Sequence, residues 1–453
     1  MKKIRITLIA ALCMITAGLC ILLAYGLAGG NLYRHTNHSN YPDVQKVLEK
    51  EISLDGIDSI SVLYGMNHHD IYIYGSQSDT VLIKEYGYSE TAEKELSTIT
   101  ENDNSLEIKG ARWNHSNMEF GLFYFNNEYN CPHYMEIFLP SSYHGELLLE
   151  TASGEIYSDI DIVSEQDVSI SSISGDISFP SVTAKSADVT STSGNVTMET
   201  IRTDADGSTG IIHISTTSGD VHITELTGKT EAESTSGNLT IETIKGNTLL
   251  RTTSGDICLT EITGTIDAES TSGNVTADIL SGDTQIRTTS GDVSVNRLDG
   301  NLQLNTTSGY VKILGGEGER VVSTASGDIT INGDGGSFQT DTQSGDVLVS
   351  LLNASGNIKT TSGEIRLELG ELTGDLNINS SSGNAVIHLS EENAFEFDAE
   401  TTSGVIKTFF DNNLNISSDR DYAHGMYGTN ISGHLVQIKT ISGDVTVDNK
   451  IKK

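Results

Sequence analysis

TTSGDICLTEITGTIDAESTSGNVTADILSGDTQIRTTSGDV, residues 252–293, writes one polar word three times: TTSGD at 252–256, STSGN at 270–274 and TTSGD at 288–292. Taking the glycine of each Ser-Gly as a marker extends the pattern through Gly219, Gly237, Gly255, Gly273, Gly291, Gly309, Gly327, Gly345 and Gly363, with eight consecutive gaps of 18 residues. Looser copies continue on both sides, at Gly154, Gly175, Gly194, Gly383, Gly404 and Gly443. A fixed period in this range marks a stack of units, none of which can bury its apolar face without neighbours.

Two places after these glycines the residue is always aliphatic, as in Val221, Leu239, Ile257, Val275 and Val293. Four places after, Ile223, Ile241, Leu259, Ala277 and Val295 repeat the choice, with polar residues between. That is the period of two of a half-buried strand. A corner follows at Leu226, Ile244, Ile262, Leu280 and Leu298, then a turn at Gly228, Gly246, Gly264, Gly282 and Gly300. A second strand turns Ala232, Leu250, Ala268, Ile286 and Leu304 inward.

One coil is thus two strands and two turns, each strand pairing in parallel with its copy 18 residues on. Separate hairpins would not need one fixed position per 18 residues, and a left-handed hexapeptide helix fails because six-residue steps from Val221 land on Thr227 and Glu233. The expected fold is all-β, a parallel β-solenoid. About fifteen coils spaced by ~4.8 Å would make a rod on the order of 70 Å long.

The Ser-Gly glycine is expected at a tight turn with positive φ, and its Ser and Thr neighbours bonded to the adjacent coil. Stacking puts Asp220, Asn238, Asp256, Asn274 and Asp292 in one column, where interleaved Asn relieves repulsion between like charges. Glu233, Arg251, Glu269 and Arg287 form an outward ladder of opposite charge that sets register.

At the start, Lys2, Lys3 and Arg5 precede an uncharged apolar stretch, Ile6 to Gly30, long enough to cross a bilayer. It exceeds the apolar core of a signal peptide, so residues 1–30 are read as an uncleaved transmembrane anchor. The expected location is the bacterial cell membrane, single-pass, with the body extracytoplasmic; cleavage would make the protein secreted. Cys20 follows the bulky Leu19, which argues against lipidation. Residues 31–50 read as a linker, 51–150 as an irregular β-rich cap, 151–404 as the solenoid, and 405–453 as an insertion, last coil and cap.

The net charge of −35 argues against nucleic acid and anionic lipid as partners. Beyond the anchor only Cys131 and Cys258 remain, too few for a disulfide framework.

The runs MEIFLP and ELLLETASGEIY, the many TSGDV units and the final LVQIKTISGDVTVD resemble the DUF4097 family of β-strand repeat proteins, labelled adhesins, over roughly residues 50–449. The resemblance implies a bacterial, membrane-anchored, extracytoplasmic β-solenoid, with some relatives tied to envelope-stress systems. It brings no catalytic residues.

Chemistry is sparse. A catalytic Ser is unique and strained, whereas Ser beside Gly recurs in some fifteen copies. Calcium repeats have period nine and more glycine. A glycosidase or lyase needs paired carboxylates in a groove and would be set aside if no pair shared one. His68, His69 and Asp70, with His115, His133 and His144, match no zinc spacing and read as surface histidines. No metal, cofactor or catalytic residue is therefore expected, and the protein reads as no enzyme.

Trp113, Phe120, Phe123, Tyr124, Phe125 and Tyr129, with Tyr134, concentrate aromatics that the repeats lack. They are expected to plug the N-terminal end or to bind a partner. The leading expectation is a non-catalytic adhesin or cell-envelope scaffold binding an envelope or host surface polymer or protein. The alternative is an envelope-stress regulator contacting a membrane signalling partner.

Overall fold

The computed structural model describes residues 44–64, 69–88, 96–110, 133–203, 210–428 and 433–449. Its strands join one sheet of 38 strands, nearly all paired in parallel through the repeats. In a middle coil, Leu239–Lys245 pairs with Ile257–Thr263 through Leu239↔Ile257, Ile241↔Leu259 and Ile244↔Ile262. Thr248–Thr252 pairs with Ile266–Ser270 through Leu250↔Ala268. Leu239, Ile241, Ile244 and Leu250 are fully buried, so the period of two becomes one continuous apolar core.

The Ser-Gly glycine is needed for a reason different from the one expected. A Cβ on Gly255 would sit 1.9 Å from the carbonyl oxygen of Gly237 one coil away, so it is the stacking distance that excludes a side chain. In the middle coils positive φ belongs instead to the second corner, where Gly246 has φ 137°, while towards the C-terminal end the Ser-Gly glycine adopts it too, with φ 133° at Gly383. At the first corner the Thr252 hydroxyl accepts the Gly255 N–H at 3.0 Å and donates to the Gly237 carbonyl at 3.3 Å. One small hydroxyl thereby ties a turn to itself and to its neighbour.

The Asp/Asn column has an equally direct cause. Asp220 Oδ1 accepts the N–H of Asn238 at 2.7 Å, Asn238 Oδ1 that of Asp256 at 2.9 Å, and Asp256 Oδ1 that of Asn274 at 2.7 Å. Both residue types carry the acceptor, so the column alternates without losing a bond. Tyr310 donates its N–H to Asp292 Oδ1 at 2.8 Å but has no Oδ1 to offer the next coil. In the charged ladder Arg251 meets Glu233 at 3.1 Å and Glu269 at 3.6 Å, while Arg287 turns to Asp267 at 2.8 Å.

The ends depart from chain order. β1 (Val44–Ser53), β2 (Ser59–Tyr64), β3 (His69–Ser76), β4 (Thr80–Tyr88), β5 (Thr98–Asn102), β6 (Ser105–Lys109), β7 (His133–Pro140), β8 (Glu146–Thr151) and β9 (Ile156–Ser158) make the N-terminal end. β2 lies in parallel between β6 and β8, and β3 between β7 and β9. The coil written first therefore slots between two written later. β5 and β4 then close the outermost coil by antiparallel pairing with β6 and β7.

The other end repeats the device. Leu435–Ser442 and Val445–Asp448 lie between Ile365–Ser382 with Ala385–Leu389 on one side and Phe395–Ser403 with Ile406–Thr408 on the other. His388 bonds Asp448 across this junction. Tyr422–Tyr427 closes the stack antiparallel to Phe395–Ser403, over a cluster of Phe395, Phe397, Phe410 and Tyr427.

Three expectations are corrected. The stretch 51–150 is not an irregular cap outside the solenoid: β2, β3 and β6 to β8 are coils of the stack, and the long excursions between them hide the period. The end of the expected linker, from Val44, is strand. The transmembrane anchor and the single-pass membrane location are withdrawn, because no helix among the described residues is long and apolar enough to cross a membrane, and residues 1–30 lie outside the described residues.

One coil buries a cation. Arg320 takes the inward place that Leu302 and Phe338 occupy in adjacent coils, with no solvent exposure. Its guanidinium donates to the carbonyls of Gly316, Gly318 and Gly335 at 2.7–2.9 Å. Burial holds its pKa below the usual arginine value.

Candidate functional site

The same alternation that builds the core gives β3, β4 and β7 two unusual faces. Inward, β3 places His69, Ile71 and Ile73; β4 places Val81, Ile83 and Glu85; β7 places His133, Met135 and Ile137. Parallel pairing sets His69 opposite His133, and β4 approaches β7 from its other edge. One ligating atom from each of His69, Glu85 and His133 can be chosen so that all lie within 4.8 Å of one another, and all three residues are buried.

Their surroundings hold them still. The Glu85 carboxylate accepts the Ser97 N–H at 2.9 Å and the Ser97 hydroxyl at 2.8 Å. Ser97 Oγ lies 2.6 Å from the Tyr64 hydroxyl, and the Tyr64 ring stacks on His69 with centroids 4.4 Å apart. Burial raises the Glu85 pKa, against the lowering effect of both Ser97 bonds. Burial and the neighbouring Glu85 likewise raise the Tyr64 phenol.

Outward, the same strands carry aromatic rings. Tyr86 of β4 stacks on Tyr134 of β7 at 4.5 Å. Tyr134 meets Tyr72 of β3 edge-on at 5.9 Å, and Tyr72 lies 6.2 Å from Tyr157 of β9. Tyr74 meets Phe138 at 5.5 Å, and Lys84 Nζ sits 4.3 Å from the Phe138 ring centre. Burial and Glu136 push the Tyr134 phenol up to about 12, and burial with Asp70 raises Tyr72 as well. These phenols stay neutral donors at physiological pH. In the regular repeats the equivalent outward places hold Thr, Glu and Ser, as in Thr240 and Glu242.

Of the aromatic cluster singled out from sequence, Trp113, Phe120, Phe123, Tyr124, Phe125 and Tyr129 lie outside the described residues, as do His68, His115 and Cys131. Only Tyr134 falls within them. His69 and His133 are buried and not surface histidines, a correction that follows from their inward phase on β3 and β7. His144 is the bland one, an exposed ring bonding the Val163 carbonyl at 2.9 Å. Cys258 is a half-exposed free thiol.

A groove of about 680 Å³ gathers Asp55, Asp58, Asp79 and Glu165 beside Tyr143 and His144. Carboxylates do therefore share a groove, and the condition for setting a glycosidase aside is not met by geometry alone. All four are exposed to solvent, whereas an acid–base pair needs one carboxyl in an environment distinct from the other.

Parallel coils, a glycine column and antiparallel closures at both ends define a closed β-solenoid. The family model described as Toastrack DUF4097 matches residues 58–279 and 265–448, and the chain belongs to that family. No curated protein matches it. A solved structure from Clostridium sporogenes, whose name assigns it provisionally to cell adhesion, is similar at 10% identity and a TM-score of 0.16. The match covers 90% of this chain and 100% of that one, and so low a score carries no argument. Family membership fits a non-catalytic surface protein and assigns no reaction.

Proposed function

We propose that the protein is a non-catalytic surface adhesin or scaffold that holds an extended polymer on the tyrosine face of β3, β4, β7 and β9, with the repeat stack as spacer. The observation that carries this reading is the change of outward residues, from Thr and Glu in the repeats to the partly exposed Tyr74, Tyr86, Tyr134 and Tyr157, packed around the buried Tyr72, at one end. Rings with a flat apolar body and a polar tip suit sugar rings and extended chains. The charge of −35 favours neutral or basic polymers over anionic ones.

Co-sedimentation of the full-length chain with isolated bacterial envelopes and with insoluble neutral and basic glycans, across a salt series, tests it. Saturable binding that survives moderate salt and falls at least ~10-fold in a Tyr74→Ser, Tyr134→Ser double variant is the expected result. Absence of binding, or equal binding by the variant, overturns it. A separate variant replacing the aromatics between Trp113 and Tyr129 tests the partner role expected for them.

A further inference from the structure

We infer that His69, Glu85 and His133 form a binding site for one divalent first-row transition metal ion, zinc foremost, inside the N-terminal end of the stack.

The donor set carries the proposal. Two imidazoles and one carboxylate are the ligands that zinc and its neighbours take, and they come from three different strands. His69 Nε2 and Glu85 Oε1 stand 4.0 Å apart, close enough for one ion to sit between them. Metal bonds of about 2.0–2.2 Å would put tetrahedral ligand atoms roughly 3.3 Å from each other, so a small rotation of each side chain closes the shell. A buried carboxylate is costly without a cation, and a bound metal ion would supply one beside Glu85.

The surrounding groups are those a metal site needs. Ser97 fixes the carboxylate through two hydrogen bonds, Tyr64 holds Ser97, and the Tyr64 ring holds the plane of His69. Three protein donors leave one position for water or a fourth ligand. The ion would tie the antiparallel β4 to β7 and to the intercalated β3, so its first effect is on the stability of that end. Binding requires Glu85 ionised and both imidazoles neutral at the ligating nitrogen, so protons are released on loading.

The test uses full-length protein stripped with chelator and reloaded with Co²⁺ or Zn²⁺ in moderate salt, which suppresses loose binding to the acidic surface. One ion per chain is expected, with Co²⁺ giving the intense visible absorption of a four- or five-coordinate nitrogen and oxygen site, displaced by Zn²⁺. His69→Gln, Glu85→Gln and His133→Gln should each weaken binding at least ~10-fold, while His144→Gln leaves it unchanged. Zinc should raise Tm in the wild type and not in these three variants.

If a variant fails to fold by circular dichroism, the wild-type cobalt spectrum decides. A weak spectrum of octahedral, water-ligated cobalt, or a stoichiometry that vanishes with salt, overturns the proposal. So does a spectrum unchanged in folded Glu85→Gln.

Discussion

The middle coils and the N-terminal end share one backbone rule and use it oppositely. In the middle, inward places hold aliphatics and small Ser or Thr, and outward places hold Thr, Glu and Arg, so each coil reads much like the next. At the N-terminal end the same alternation brings His69, Glu85 and His133 inside and a tyrosine face outside. Repetition of a residue along the stack signals support, whereas its interruption marks where particular chemistry is held. Arg320 shows that an interruption can also be architectural, since its two terminal guanidinium nitrogens donate to three carbonyls of its own and the next coil.

Removing residues 435–449 should have the largest effect. This deletes the buried Val436, Ile438, Val445 and Val447 and separates Phe395–Ser403 from the stack. Size-exclusion chromatography and circular dichroism should show loss of soluble, folded protein, since each such side chain contributes ~1.5–3 kcal/mol.

Next comes Gly255→Ala. Its Cβ would lie 1.9 Å from a rigid backbone carbonyl, and a cost of roughly 3 kcal/mol is expected by urea titration, where an exposed Thr253→Ala stays within about 0.5 kcal/mol.

Arg320→Leu keeps the volume and leaves three carbonyls without their donor, for an expected loss of about 2–3 kcal/mol. Equal stability would mean that the interruption carries no architecture of its own.

Glu85→Gln sharpens the contrast through pH. The folded pKa of Glu85 is raised, so between the unfolded pKa of about 4.3 and the higher folded value the unfolded state ionises first and stability falls as pH rises. In chelator-treated protein, where Glu85 faces His69, His133, Tyr64 and Ser97, the Gln variant should lose that fall. It should equal or exceed the wild type in stability at pH 7, by on the order of 1 kcal/mol.

The mildest test is in the Asx column. Asn238→Asp keeps the Oδ1 acceptor for the Asp256 N–H and should cost under about 1 kcal/mol, recovered in salt. Asn238→Ala loses the acceptor and should cost ~1 kcal/mol irrespective of salt.

The middle of the molecule was legible because each inward position recurs at a single spacing, so Val221, Leu239 and Ile257 announce their pairing by that spacing alone. The ends were not, because their neighbours in space are far apart in sequence: His69 pairs with His133 and Leu376 with Val436. No periodicity spans such gaps. The metal cluster did leave one trace, a histidine or glutamate at the inward phase of DIYIYG with its preceding His, of TVLIKEYGY and of HYMEIFLP. Their spacing in the chain matches no zinc motif because the strands that carry them meet only in the fold, so strand phase and not spacing marks them. The glycine column was legible in place but not in cause, since close approach between coils depends on stacking and not on the local turn.

The interleaved coils also impose an order in time. Residues 395–408 are synthesised before 435–448, yet in the finished stack they rest on them. At ~5–20 residues per second of synthesis, this phenylalanine-bearing segment waits for several seconds with its seat not yet made. Acidic and polar neighbours such as Glu391, Glu392, Asp398 and Glu400 are what that segment carries through the interval. Assembly at this end is therefore a closing step, in which a late strand enters beneath an early one.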